Sequence, residues 1–306
     1  MMKTYAQYLA RQLFQFGKSE SWGDVWHFRL VEIFLVLYTI KYTWGWGEYI
    51  QNNISDVMLP LGLAQYIDVS FMFDHHVALI NAGLIGLMSL LGLTRTWRPA
   101  YAIALLLFHF QYVARYSLGE ISHGSNLVGM GILLLGIAHF AFTDNAVRRQ
   151  FVWGALYFFI GLGYTSAAVC KLIGTGIFWP DGRHLLMWIG ERQVDVMSKF
   201  GAFDPNLLQE LILQNYHWGT LFLLFGLVAE ASSFLMWFRK YRYYIVMLVV
   251  SMHFGILLTM NIFFEASTYL LILLGLPWNQ ILDATRAQVQ RWTSPESVQP
   301  MSRSSA

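Results

Sequence analysis

The feature that most constrains this chain is a series of apolar runs, each close to the length of a bilayer-spanning helix. A helix needs about 20 mainly apolar residues to cross the hydrocarbon core of a membrane. Backbone groups inside lipid must be hydrogen-bonded internally, and no series of alternating strands of about 10 residues occurs, so helices are expected. We predict an all-α, polytopic transmembrane bundle of about eight spans, at residues 28–46, 77–94, 99–117, 124–143, 151–173, 216–238, 243–263 and 266–282.

The composition agrees with a membrane protein and excludes other classes. Of 306 residues, 56% are hydrophobic and only 12% are charged, whereas soluble proteins carry roughly 25% charged residues. A net charge of +2 provides no basic field for a nucleic acid. Cys170 is the single cysteine and His75–His76 has no helical partner at i+4, so we predict neither an internal disulfide nor a metal site.

Lysine and arginine alternate between the connections of the predicted spans. They are concentrated in the N-terminal segment and in the second, fourth and sixth connections, for example at residues 148–149 and 239–242. The first connection, 47–76, contains neither. Because basic residues favour the cytoplasmic side, we expect both termini in the cytoplasm and the odd-numbered connections outside.

Three segments outside the spans have their own character. Residues 1–21 have apolar side chains at helical spacing with basic residues between them, which is typical of an interfacial amphipathic helix. The fifth connection, 174–215, has an amphipathic pattern and is expected to carry a helix on the outer face. Residues 284–306 are expected to form a partly disordered cytoplasmic tail, since their end is rich in Ser and Pro.

Ionisable side chains inside the spans mark the candidate site, because each is costly in lipid. The predicted topology places Lys171, His123 and His217 near the outer surface and His253 near mid-depth. Together they predict a polar pocket that opens to the outer side. Glu230 lies deeper, where it would either pair with a buried arginine or remain protonated.

The position of Lys171, at the end of an apolar run, leaves two interpretations open. The amine either extends to the headgroup region, as lysines near span ends commonly do, or it faces the pocket. Burial disfavours the charged ammonium form of a lysine, and a neutral amine in a pocket is able to act as a base.

Several stretches resemble the HTTM-domain membrane proteins, the relatives of vitamin K-dependent gamma-carboxylase. The resemblance is carried by GYTSAAVCKLIGTGIFWPDG, by HWGTLFLLFGLVAEASSFLMWFRKYR and by SMHFGILLTMNIFFEASTYLLILL, in that order. The stretches WHFRLVEIFLVLY and SHGSNLVGMGILLL also fit the order. The likeness covers about residues 22–282, so we interpret 22–283 as one HTTM-like bundle.

The resemblance implies a chemistry and a location. In the carboxylase a membrane lysine deprotonates reduced vitamin K, and oxygen then converts the quinol to an epoxide. Lys171 falls at the place of that lysine and His123 at a histidine that assists oxyanion chemistry, which implies Lys171, His123 and His253 as catalytic residues. A reduced quinone of the vitamin K or menaquinol type is the implied cofactor, and the active side would face the periplasm or exterior of a bacterial inner membrane. The residues predicted to bind substrate are His217, Trp218, Trp179, Arg115 and Tyr164.

Departures from the family leave the function open between classes. The chain has no counterpart of the large lumenal domain or of the family's cysteine pair, so carboxylation of a protein is not expected. We predict a quinol-linked enzyme with lyase- or epoxidase-like chemistry, in contact with membrane lipid. The alternatives are a non-enzymatic maturation or export partner of a secreted peptide, docked on the fifth connection, and a carrier of lipid or small molecules.

Overall fold

The computed structural model describes residues 2–52, 59–119, 121 and 123–293, and within them the regular structure is entirely helical. This agrees with the predicted all-α class. The α-helices in this part of the chain are α1 (Met2–Leu13), α2 (Trp22–Asn52), α3 (Val77–Leu93), α4 (Ala100–Tyr116), α5 (His123–Ala141), α6 (Asn145–Thr175), α7 (Gly182–Phe200), α8 (Leu207–Gln214), α9 (Tyr216–Ala231), α10 (Arg239–Met260), α11 (Glu265–Gly275) and α12 (Trp278–Thr293).

Four helical segments in the described residues are long and apolar enough to cross a membrane. They are Gly124–Ala141, Asn145–Phe178, Tyr216–Trp237 and Arg239–Met260. Helices α3 and α11 are also apolar but shorter. Segments of this length and composition are typical of a membrane protein.

The eighth predicted span, 266–282, is not one continuous helix. Helix α11 ends at Gly275, Leu276 is extended, and α12 begins after Pro277. The residue before a proline avoids the helical region, and proline lacks the N–H that a continuing helix needs. Eleven helical residues in α11 rise only about 16 Å, roughly half the thickness of a bilayer core.

The N- and C-terminal segments each contain a helix. Helix α1 occupies most of the predicted interfacial segment 1–21. Helix α12 crosses the predicted boundary at residue 283, so residues 284–293 of the expected tail are helical. Residues 294–306 of that tail lie outside the described residues.

The hydrophobic core lies among α2, α5, α6, α10 and α11. Their fully buried side chains form one cluster that includes Leu35, Ile132, Leu156, Val249 and Leu270. Burial of each such side chain contributes about 1.5–3 kcal/mol. This cluster fixes the positions of α6 and α10, which carry most of the candidate site.

A buried amide network joins α2, α3 and α4. The Gln111 Nε2 group donates to the carbonyl oxygens of Thr43 (3.2 Å) and Ala78 (3.1 Å), and its Oε1 atom accepts from Asn81 Nδ2 (2.8 Å). An unpaired buried amide costs about 1–3 kcal/mol. The network therefore satisfies a polar group that the apolar surroundings would otherwise penalise.

Helix α7 lies in the fifth connection and docks on α9 through glycine. The Asp181 side chain caps α7 by accepting from the N–H of Arg183, and Gly182 N–H donates to Thr220 Oγ1 (2.9 Å). A Cβ atom on Gly182 would lie 1.8 Å from the Tyr216 carbonyl oxygen. Only glycine allows this approach, which brings the segment around Trp179 to the end of α6.

We predict that Gly182→Ala separates α7 from α9 and lowers stability by at least about 2 kcal/mol, as overpacking does. Thermal unfolding in detergent measures the change. Gly190 is the matched control on the same helix, since a Cβ there meets no atom within 4 Å. Gly190→Ala should raise stability by about 0.5–1 kcal/mol, and equal effects of the two substitutions would contradict the close approach.

Candidate functional site

The candidate site is centred on two side chains from the antiparallel helices α6 and α9. Polar contacts join α6 to the 3-10 helix Ser232–Trp237 that continues α9, and so set the register of the two helices. Thr165 Oγ1 accepts from Phe234 N–H (2.9 Å), and Trp237 Nε1 donates to the Phe158 carbonyl oxygen (3.0 Å). Side chains on a helix lean toward its N-terminus. In antiparallel helices, a lysine late in α6 and a glutamate late in α9 therefore lean toward each other.

Lys171 and Glu230 form an ion pair across this interface. The Lys171 Nζ atom lies 2.6 Å from each carboxylate oxygen of Glu230. The Lys171 side chain is 30% exposed and that of Glu230 only 9%. The amine thus points along α6 into the bundle, which answers the question that the sequence left open about Lys171.

The partner of Glu230 differs from the one expected. The sequence suggested a buried arginine or a protonated, unpaired carboxyl group, and the structure places Lys171 there instead. The expected depth difference between the two residues is bridged by the length of both side chains. Glu230 is not among the site residues predicted from the sequence, although a single carboxylate in an apolar helix indicates a buried polar contact.

An aromatic cavity of about 240 Å³ adjoins the pair. Both charged side chains contribute to its wall, and Trp179 lies with its ring centroid 4.6 Å from the Lys171 Nζ atom. A cation over the face of a tryptophan gains about 0.5–2 kcal/mol. The rest of the wall is mostly apolar and includes Trp188, Phe222, Phe225, Met252, Ile256 and Phe264.

A tyrosine–histidine pair lies directly behind this cavity. Tyr164 Oη and His253 Nε2 are 2.6 Å apart, and the edge of Phe264 contacts the His253 ring at a centroid distance of 5.2 Å. His253 is 5% exposed, and its Nδ1 atom has no hydrogen-bond partner among the described residues. Phe264 also lines the cavity, so the histidine and the cavity contact the same aromatic ring.

The structure brings together four of the residues predicted for the site. Lys171 and Trp179 line the cavity, and Tyr164 and His253 form the layer behind it. The two layers adjoin, since Thr165, next to Tyr164, contacts the Glu230 carbonyl oxygen (3.5 Å). Their assigned roles stay predictions.

The remaining predicted residues lie elsewhere. His217 and Trp218 are exposed at the start of α9 and do not line the cavity. Arg115 lies over the ring of Tyr49 at 3.9 Å, at the ends of α4 and α2. The backbone of His123 begins α5, but its side chain lies outside the described residues.

The arrangement is suited to proton transfer with a flat apolar ligand. An ionisable pair lies on one wall, and aromatic and aliphatic side chains form the others. Among the described residues no group of three His, Cys, Asp or Glu side chains is placed to hold a metal ion.

Comparisons with known proteins add no relative. No model of a known protein family matches the chain, and no curated protein or solved structure is detectably similar to it. The resemblance to HTTM-domain proteins stays a prediction.

We predict that Lys171→Met and Glu230→Gln each lower stability by roughly 2–4 kcal/mol, somewhat less than a fully buried pair loses when one partner is removed. The double variant should lose less than the sum, because no unpaired charge remains. Thermal unfolding of the wild type, the two single variants and the double variant in detergent gives the coupling free energy between Lys171 and Glu230. Lys41–Glu265 is the matched pair, with Nζ to Oε distances of 2.6 and 2.8 Å but side chains 56% and 38% exposed.

For Lys41→Met and Glu265→Gln the coupling should be about 0–1 kcal/mol, as for exposed pairs. A coupling no larger for Lys171–Glu230 than for Lys41–Glu265 would show that the inner pair is not a strong contact.

Proposed function

We propose that the protein is a membrane-embedded enzyme that removes a proton from a reduced quinone of the vitamin K or menaquinol type, with Lys171 as the base. The single observation that carries this proposal is the Lys171–Glu230 pair on the wall of an aromatic cavity. The predicted resemblance to HTTM-domain proteins, whose lysine corresponds to Lys171, supports the choice of substrate.

A lysine acts as a base only when it is neutral, and Glu230 provides a route to that form. The carboxylate is nearly buried, and a low-dielectric environment penalises both charges of an ion pair. Transfer of one proton along the 2.6 Å contact from Nζ to Oε leaves an amine and a carboxylic acid. The amine, which is the more exposed of the two groups, then faces the ligand.

The cavity fits the ring system of a quinol. Its indole and phenyl side chains offer flat apolar faces, and its one ionisable pair lies where a ring hydroxyl group needs an acceptor. With about 240 Å³ it is smaller than the roughly 300–1,000 Å³ of pockets that enclose a whole drug-sized ligand. The ring would lie inside and an isoprenoid chain would extend between the helices into lipid.

Overall, the quinol gives four electrons and its two hydroxyl protons to dioxygen, so that one oxygen atom enters the ring as an epoxide and the other leaves as water. The chain's own residues position and deprotonate it. Trp179 orients the amine through its ring face. His253, which contacts Tyr164, packs against Phe264, one of the aromatic rings that line the cavity.

We propose for the membrane arrangement that the apolar helices make eight crossings, with both termini in the cytoplasm of a bacterial cell and the Lys171 cavity facing the periplasm. Arg239 donates to the Arg11 carbonyl oxygen in α1, and Arg149 pairs with Glu20, which follows α1, so basic residues gather at this end of the bundle. This supports the orientation, because basic residues favour the cytoplasmic side. Helix α11 would complete a crossing together with the start of α12.

We predict that the purified protein in lipid nanodiscs converts menaquinol and oxygen to the epoxide, measured by mass spectrometry of the extracted quinones. Lys171→Met should lower the rate by at least about 100-fold, the size expected for loss of a general base. Lys41→Met is the matched control, since it removes an exposed lysine with the same kind of partner, and it should keep the wild-type rate.

Two outcomes would contradict the proposal. Epoxide formation that is equal in wild type and Lys171→Met would exclude the lysine as the base. Binding of menaquinone in the cavity should quench the tryptophan fluorescence of the wild type, and Trp179→Phe should reduce that quenching. No quenching in the wild type, or equal quenching in the variant, would exclude the cavity as its binding site.

One observation favours the second candidate function, the maturation or export of a secreted peptide. The segment from the end of α6 through α7 exposes large apolar side chains, with Ile177 79%, Phe178 75%, Val194 67% and Phe200 78% exposed. If this surface binds a peptide, Val194→Ser with Phe200→Ser should abolish co-purification of that peptide. Lys171→Met should leave it unchanged, and the reverse pattern would reject this function.

A further inference from the structure

A second cavity, of about 300 Å³, lies at the opposite end of α10 from the Lys171 site. It forms where the segment after α1 meets the first turns of α2, α6 and α10 and the junction of α11 with α12. Its wall includes Leu13, Lys18, Asp24, Trp153, Arg239 and Arg242. From Arg242 to Met252, the first α10 residue of the Lys171 cavity, the helix rises about 15 Å, so the two cavities are separate.

Two guanidinium groups converge on one carbonyl oxygen at this cavity. Arg239 Nε and Arg242 Nη2 donate to the Gln12 carbonyl oxygen at 3.2 and 3.1 Å. Further contacts are also to backbone carbonyl groups, from Arg239 to Arg11 (2.5 Å) and from Arg242 to Met236 (3.1 Å). Neither arginine forms an ion pair within the part of the chain that the structure describes.

The carboxylates near the cavity are already paired with other groups. Glu20 pairs with Arg149. Asp24 lies 3.8 Å from Lys18 and accepts from Asn279 Nδ2 at 2.8 Å. The C-terminal carbonyl groups of α1 offer the arginines about half a negative charge. More than one positive charge therefore remains uncompensated at the cavity wall.

The chemistry of this wall selects a phosphate group. Guanidinium groups match the geometry of phosphate oxygens and form charge-assisted hydrogen bonds with them. An anion between Arg239 and Arg242 also removes the repulsion between two like charges that are held on one acceptor. Carboxylates already present on the wall disfavour a ligand of high negative charge, so a phosphodiester with one charge fits better than a polyphosphate.

We propose that this cavity binds the phosphate group of an anionic phospholipid, independently of the quinol site. A soluble phosphate ester carries the same phosphate group, but three features favour a lipid. Leu13 and Trp153 give the cavity an apolar wall for the glycerol and first methylene groups. Tyr243, on the wall, and Tyr244 are 46% and 69% exposed, as in an aromatic belt at the headgroup level. Helix α1 beside the cavity has the amphipathic pattern of an interfacial helix.

Native mass spectrometry of the full chain tests this inference. The purified protein is incubated with equal amounts of phosphatidylglycerol and phosphatidylcholine, and bound lipid is counted in wild type, Arg239→Gln/Arg242→Gln and Lys240→Gln. Lys240 is the matched control, because it lies between the two arginines in sequence but does not line the cavity. We expect one phosphatidylglycerol per wild-type chain. Binding should be at least about tenfold weaker in the double variant, because it lacks one or more charge-assisted hydrogen bonds. Lys240→Gln should bind as wild type does.

A second arm distinguishes the source of the phosphate. Glycerol 3-phosphate at millimolar concentration should displace little phosphatidylglycerol if the lipid is the ligand, whereas full displacement would assign the site to a soluble phosphate ester. Equal binding of phosphatidylglycerol and phosphatidylcholine, or equal loss in Lys240→Gln and the double variant, overturns the proposal.

The double variant could detach α1 because both arginines hold its last carbonyl groups. Circular dichroism and thermal unfolding identify that case. Arg239→Gln alone then decides, since Arg239 is exposed and Arg242 still holds Gln12. A roughly threefold loss of phosphatidylglycerol binding supports the proposal, and unchanged binding rejects it.

Discussion

Each charge inside an apolar bundle must be neutralised there, and this constraint explains how the candidate site is built. The energetic penalty for an isolated charge in a low-dielectric interior far exceeds the stability of a folded domain. Lys171 and Glu230 satisfy the constraint for each other across α6 and α9. The pair thus requires the two helices to pack antiparallel in one register, and that register brings the aromatic wall of the cavity into place.

The layers around the pair have different roles. The cavity wall is mostly aromatic and aliphatic and presents flat apolar surfaces beside the amine. Behind it, Tyr164 and His253 form a buried polar contact that fixes Phe264 from the rear. In the proposed function, Glu230, which already neutralises Lys171, is also the acceptor of its proton.

The two ends of the bundle are chemically distinct. One end carries the aromatic cavity and the exposed apolar surface of the segment that leads into α7. The other end concentrates arginines around the C-terminus of α1, where carbonyl groups rather than carboxylates compensate them. Helix α10 connects the ends and contributes to both cavities. The basic end and the aromatic end therefore differ in the ligands that they can bind.

Hydropathy and helical spacing were enough to predict the all-α class and a helix in the N-terminal segment, because these depend on residues near one another in the chain. Local signals also placed most helices, but Pro277 divided the eighth predicted span at a point where hydropathy alone shows no break. The partner of Lys171 could not be predicted, since Glu230 lies 59 residues away. Their contact depends on the register of α6 against α9. The polar contacts of Phe158 and Thr165 and the close approach of Gly161 to Ser233 and Trp237 set that register. Packing between distant helices also brings Arg239 and Arg242 together at α1. It likewise leaves Arg115, His217 and Trp218 away from the cavity. A linear pattern specifies which face of a helix is buried, but not which other helix covers that face.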